Sequence, residues 1–298
     1  MRRNILWLFV FMFLATVSGC KSCNKQAANQ DVNVEVDQSV VDDINQAKKI
    51  FYSLPSPLET AMLIKTAGAT YNEKLLNPLS SASSYTTNRS MALNLGIYTT
   101  DLSFASLFDQ TQTSINYMQA AKKMADGLGI LDAIDNNTIQ KLEDNINNRD
   151  VIMDIISESF MASSSYLKEN DRTAVASVVL VGGWVEGLYV ATQLVDVNNF
   201  KQTKLVERIV DQKLSFDIVL KLLNESKDNP DVASLIAEMN DLKRVFDKID
   251  IKSSKIEAVT DTKTNVTTLK SQSKITVSKE TFIELTDKVK AIRNNFVL

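Results

Sequence analysis

Along most of this chain apolar residues recur every three or four positions, the spacing that gathers them on one face of an α-helix. After Asn229-Pro230, the residues Val232, Leu235, Ile236, Met239, Leu242, Phe246 and Ile249 keep that spacing without a miss. Behind Ser278, a good N-cap, Phe282, Leu285, Val289, Ile292 and Phe296 repeat it. Single stripes of the same kind predict helices over 112–127, 150–168 and 203–226, the last broken near Ser215. From Asn88 to Phe108 there are two stripes, Met91, Leu95, Tyr98, Leu102 and Ala105 on one side and Leu93, Ile97, Phe104 and Phe108 on another. A helix apolar on two faces is packed on both. Further helices are expected over Val40–Tyr52, from Pro57 to Gly68 with Ser56 and Glu59 as a capping box, and over Asn136–Asn147. The Ser/Thr-dense run between Asn77-Pro78 and Asn88 reads as a loop.

One stretch departs from amphipathic spacing. Thr173 to Val195 is almost continuously apolar, with Glu186 its only charge. Its length suffices to cross a bilayer. Gly182, Gly183 and Gly187 lower its hydropathy, however, and polar amphipathic helices flank it. It is therefore expected to be a central helix surrounded by the others, with glycines that permit close backbone approach. Residues 251–277, rich in Lys, Ser and Thr with scattered Val and Ile, read as a loop or small hairpin. The whole predicts an all-α fold, a bundle of about eight to ten antiparallel helices. Its expected parts are a helical domain over 39–250, the loop or hairpin, and a C-terminal helix over 278–298 packed on the domain.

Composition agrees. Hydrophobic residues make up 44% of the chain, enough for a substantial core, whereas only 8 glycines and 4 prolines are available as breakers. The chain has no histidine. That removes Ser-His-Asp and Cys-His catalysis, His-ligated zinc or haem iron, and histidine pH switching. A net charge of -3 excludes a nucleic-acid partner of the basic-patch kind.

The N-terminus carries the one specific motif. Arg2 and Arg3 precede a short apolar run from Ile5 to Val17, which ends in Val17-Ser18-Gly19-Cys20. The run falls short of the roughly 20 residues a membrane span needs. The arrangement resembles a bacterial lipoprotein signal peptide with its lipobox. The resemblance implies that residues 1–19 are removed and that Cys20 becomes an acylated first residue, with membrane lipid as its partner. At about 0.8 kcal/mol per buried methylene, a three-chain anchor holds essentially permanently. Lys21 follows Cys20 where an aspartate commonly retains such proteins at the inner membrane, so the resemblance favours the outer membrane, facing periplasm or exterior. Cys20 and Cys23 also spell C-x-x-C, but in a polar tail, and acylation consumes the first thiol. Residues 20–38, rich in Asn, Gln, Asp and Lys, read as a flexible tether. The stretches Tyr52-Ser53-Leu54-Pro55-Ser56-Pro57, Leu75-Leu76-Asn77-Pro78 and Asn94-Leu95-Gly96-Ile97-Tyr98 through Gly127-Leu128-Gly129-Ile130 are similar to a group of helical envelope lipoproteins of unassigned function. That resemblance brings no catalytic motif.

Candidate chemistry is sparse. A glutamate in an apolar helix must be paired, protonated or exposed to a wet cavity, so Glu186 is the first residue of interest, with a lysine or arginine as its expected partner. If the pairing is a replaceable structural one, leucine at 186 should be tolerated. Asp101 is the parallel case in the two-faced helix, with Asn94 on the same side. Three functional classes follow. The first is a lipid-anchored structural or interaction protein with an envelope protein partner. The second is a small-ligand-binding lipoprotein whose cavity beside residues 173–195 is lined by Tyr98, Asp101, Trp184 and Glu186. The third is a carboxylate enzyme, which needs two carboxyls about 5 to 10 Å apart. Asp132–Glu143 has the length of an EF-hand loop, but Ile134 and Asn137 stand where an oxygen ligand and the turn glycine belong. No motif implies a cofactor or a metal, and an enzymatic role is the least supported of the three.

Overall fold

The computed structural model describes residues 57–298 apart from 132–139, 143, 146–147, 254–256, 262–265 and 271–272. Cys20 and Cys23, residues 1–19 expected to be a signal peptide, residues 20–38 expected to be a tether, the helix expected over Val40–Tyr52, the Ser56 cap and most of the EF-hand-like stretch lie outside them. The described residues fall in one compact unit.

The fold is an all-α bundle. Helix α1 (Pro57–Thr66) is followed by two single 3-10 turns, Glu73–Leu75 and Leu79–Ser83. Then come α2 (Asn88–Leu107), α3 (Thr111–Gly127), α4 (Arg149–Glu169), α5 (Thr173–Gln193), α6 (Lys204–Asn224), α7 (Pro230–Phe246) and, at the C-terminus, α8 (Lys279–Phe296). The caps follow the local chemistry. Thr87 Oγ1 accepts from the Ser90 N–H while Ser90 Oγ accepts from the Thr87 N–H, a reciprocal box that starts α2. Ser278 caps α8 and Asn229 with Pro230 opens α7, as the spacing predicts. Helix α6 runs unbroken through Ser215, which is buried, so the expected interruption is absent. Of the polar helix expected over Asn136–Asn147, residues 140–142 and 144 are helical among those described.

Residues 250–276 form more than a loop. Strand β1 (Asp250–Ser253) pairs antiparallel with β4 (Ser273–Thr276), and β2 (Glu257–Asp261) with β3 (Val266–Lys270). The Thr, Val and Ile that interrupt the lysines here favour extended backbone, and the two pairings nest one inside the other.

Helix α5 is the axis. It packs against α1, α2, α4, α6 and α8. Although long and apolar enough to cross a membrane, it has 83% of its most apolar window buried inside the protein. Its closest neighbour is α2, because glycines face each other there. A Cβ on Gly96 would lie 2.0 Å from the Val179 carbonyl oxygen, and one on Gly182 would lie 2.2 Å from that of Leu93. No side chain but hydrogen fits, so the two backbones touch, and Thr100 Oγ1 donates across to the Gly183 carbonyl at 3.1 Å. The close approach expected of these glycines is thus present at Gly182 and Gly183.

Candidate functional site

One turn beyond the glycine contact, the polar residues that two apolar helices carry are forced together. Asp101 on α2 and Glu186 on α5 are both 0% exposed, and their carboxyl groups share a hydrogen bond. Arg293 of α8, 6% exposed, reaches the same point and forks onto Glu186, Nε to Oε2 at 2.9 Å and Nη2 to Oε1 at 3.1 Å. Its guanidinium also lies 4.7 Å from the centre of the Tyr189 ring. The arginine partner expected for Glu186 is therefore present.

The charge count is two acids against one guanidinium. Asp101 Oδ2 accepts from the Asn77 N–H at 3.0 Å, and Oδ1 meets no donor among the described residues. Two carboxylates cannot hydrogen-bond without a proton between them. Burial, and then the Glu186 carboxylate, push the Asp101 carboxyl well above its ordinary range, against the pull of the Asn77 N–H and of Arg293. Burial raises Glu186 as well, but Arg293 opposes it by charge and by hydrogen bond. Burial disfavours the charge on Arg293, and Glu186 more than offsets this, so its pKa also rises. The arrangement is a neutral Asp101 donating to an ionised Glu186 that is clamped by Arg293. The cluster is then electrically balanced, which is how buried ionisable groups become tolerable.

Around this triad runs a network of neutral partners. Asn77 Nδ2 donates to Asn94 Oδ1 at 2.9 Å and to the Tyr85 hydroxyl at 3.2 Å, while the Asn77 carbonyl accepts from Tyr117 at 2.9 Å. Asn94 in turn donates to the Phe296 carbonyl, and Tyr85 to that of Val297. The Tyr98 hydroxyl donates to the Pro78 carbonyl at 3.1 Å. Burial raises the pKa of Tyr98 and of Tyr117, keeping both phenols neutral. The network thus stitches the 77–85 loop and the C-terminal helix onto α2 and α5.

Of the four residues expected to line one cavity, Tyr98, Asp101 and Glu186 come together inside this packed network, and Trp184 does not join them. Its indole N–H donates to Gln212 at 3.2 Å, and its ring packs against Phe216 and Phe246, centres 5.5 and 6.4 Å away, between α5 and the α6–α7 pair. The spacing of Trp184 and Glu186, two residues apart on a helix, turns them to different sides. The carboxyl pair is also unlike a glycosidase site, because it is in direct contact and sealed rather than spread over about 5 to 10 Å. Among the described residues no group of three or more His, Cys, Asp or Glu is placed to hold a metal ion.

A cleft does lie beside α5, elsewhere. It has a volume of about 80 Å³ and is walled by Leu95 and Leu102 of α2, Met118 of α3, Ile156 of α4 and Val179 of α5. Its few polar members are Thr99, Lys122, Ser159, Ser163 and Ser164.

Two residues central to the network carried no signal in the pattern. Asn77 reads as part of an Asn-Pro turn, and its backbone and side chain together make four of the hydrogen bonds above. Arg293 stands four residues after Val289 and three before Phe296, inside the apolar stripe of α8. A cation at an inward position is the clue that would have paired it with Glu186.

Neither a family model, nor a curated protein, nor a solved structure matches the chain.

Proposed function

We propose that this protein is a lipoprotein of the bacterial cell envelope, anchored through acylated Cys20 and carrying a helical body with a structural or protein-interaction role. The observation that carries the reading is the run Val17-Ser18-Gly19-Cys20 behind a short apolar stretch and two arginines. Removal of residues 1–19 leaves Cys20 as the lipid-bearing first residue, and residues 20–38 tether the body to the membrane. Lys21 in second place favours the outer membrane, with the body facing periplasm or exterior. The interior supports a scaffold role. Its acids and amides are spent on one another, and a sealed, charge-balanced cluster offers no reacting group to a substrate.

The test is Cys20→Ala. The parent should partition into membranes and show acyl groups by mass spectrometry, and the variant should be released. A parent free of acyl groups, whose variant partitions just as it does, refutes the anchor. A second reading is favoured by the apolar cleft beside α5: the tethered body binds a small ligand there, beside the expected helix but among residues other than Tyr98, Asp101, Trp184 and Glu186.

A further inference from the structure

We propose that the cleft between α2, α3, α4 and α5 is a binding site for a single-chain amphiphile with an acidic head, a fatty carboxylate, seated with its chain among Leu95, Leu102 and Ile156 and its head at Lys122 and Ser163. The proposal rests on the second reading above and names its ligand class.

Three observations carry it. The wall is overwhelmingly apolar and about 80 Å³ is free, room for part of a hydrocarbon chain but not for a polar sugar or nucleotide, which would need partners along its whole length. The polar groups that remain are not equivalent. Thr99 and Ser159 turn their hydroxyls back onto their own helices, donating to the Leu95 and Ile155 carbonyls at 2.7 Å each. Ser163 does not: it is 8% exposed, it lines the cleft, and its hydroxyl has no partner among the described residues. Its oxygen is not sealed from solvent, and the side on which it is open is the cleft. Lys122, exposed at the rim, has no acidic partner among the described residues. No acidic residue lines the cleft to neutralise it, so the charge complementarity of the mouth is to an anion. A carboxylate on a flexible chain satisfies all three: the chain fills the apolar space, one oxygen accepts from Ser163, and the head pairs with Lys122.

The test uses the full chain in phosphatidylcholine nanodiscs, photolabelled with a diazirine-bearing decanoate and with the matching decanol, the crosslinked peptides being mapped by mass spectrometry. Decanoate should label peptides from 95–102, 118–122 and 156–167. Ala121→Phe, a half-buried filler at the wall, should abolish that labelling at unchanged melting temperature, and Lys122→Glu should raise the concentration required by about tenfold. If decanol labels the same peptides equally well and Lys122→Glu changes nothing, the acidic head is wrong, while the ligand-binding reading stands. If neither probe labels the cleft, or Ala121→Phe leaves the labelling intact, both fall.

Discussion

Glu186 and Arg293 give the sharpest test of how the interior is held. Taken from the sequence alone, Glu186→Leu is expected to be tolerated or stabilising if the pairing is a replaceable structural one. The geometry reverses this, because the variant leaves the Arg293 guanidinium 6% exposed with no acid but a protonated Asp101 nearby. At contacts of 2.9 and 3.1 Å the charge centres stand roughly 4 Å apart, an attraction of about 4 kcal/mol at an effective dielectric of 20. Losing one partner of a buried pair costs about 3–5 kcal/mol, since the remaining charge is uncompensated. In a domain of this size that lowers the melting temperature by roughly 6–20 °C. Arg293→Met should cost a similar amount, by leaving Glu186 to take up a proton or stay charged in the dark. Glu186→Leu with Arg293→Met together should be clearly less damaging than the two losses added. Recovery will be incomplete, because the Asp101 proton then lacks its acceptor, at about 1–3 kcal/mol. The measurement is urea unfolding of all four proteins at pH 7, followed by circular dichroism and by Trp184 fluorescence. A coupling of at least about 2 kcal/mol is expected, against about 0.5 kcal/mol or less for independent sites. Single losses below about 1 kcal/mol, or strict additivity, would show that the pair contributes little and that burial here is better relieved by water than this geometry implies.

Asp101→Asn keeps an acceptor for the Asn77 N–H and supplies an N–H for Glu186, while removing the ionisable group. Because the folded pKa of Asp101 is raised, its contribution is complete below about pH 4 and declines as pH rises toward the folded value, so the asparagine variant should be the more stable at pH 7 and show a flatter stability profile from pH 4 to 8. The groups facing it, Glu186, Arg293, Asn77 and the phenols of Tyr71, Tyr98, Tyr117 and Tyr189, are unchanged in the variant, and a melt series showing the parent's slope intact would assign that slope elsewhere. Gly96→Ala should destabilise by about 1–3 kcal/mol or more, because its Cβ meets backbone at 2.0 Å, which cannot move without parting α2 from α5. Gly68→Ala, at φ +89° with open space around it, should cost only the backbone strain of about 1–2 kcal/mol, and a Gly96→Ala loss below about 1 kcal/mol in thermal melts would count against the helix contact.

How legible this was differs by element. Helices α7 and α8 stand where the three-and-four spacing and the caps Asn229 and Ser278 put them, since those signals are local and each cap is satisfied within its own first turn. The strands at 250–276 are ambiguous in the sequence because short Thr and Val segments gain their pairing only from partners 5 to 26 residues away. At the site, Glu186 was conspicuous as a charge in an apolar run, but Arg293 lies 107 residues downstream and Asn77 looks like any turn asparagine. Trp184 packs against Phe216 and Phe246, which the sequence does not show for a related reason: helical periodicity says that a residue is buried, and does not say against which neighbour.

Sequence by itself determined that this chain makes a helical bundle, that Thr173–Gln193 lies at its centre and that the interior is free of histidine chemistry, because periodicity, breaker content and residue inventory are properties of the chain. Only the tertiary structure decided what the buried acids do. Glycines at the α2–α5 contact bring two helix backbones together, so Asp101 and Glu186 meet one turn on, and the C-terminal helix brings in a single guanidinium for both. Whether a buried carboxyl reacts, binds or merely holds is set by distance, desolvation and charge balance among residues far apart in sequence. Here that balance closes on itself, and the space left for a ligand lies on another side of the same helix.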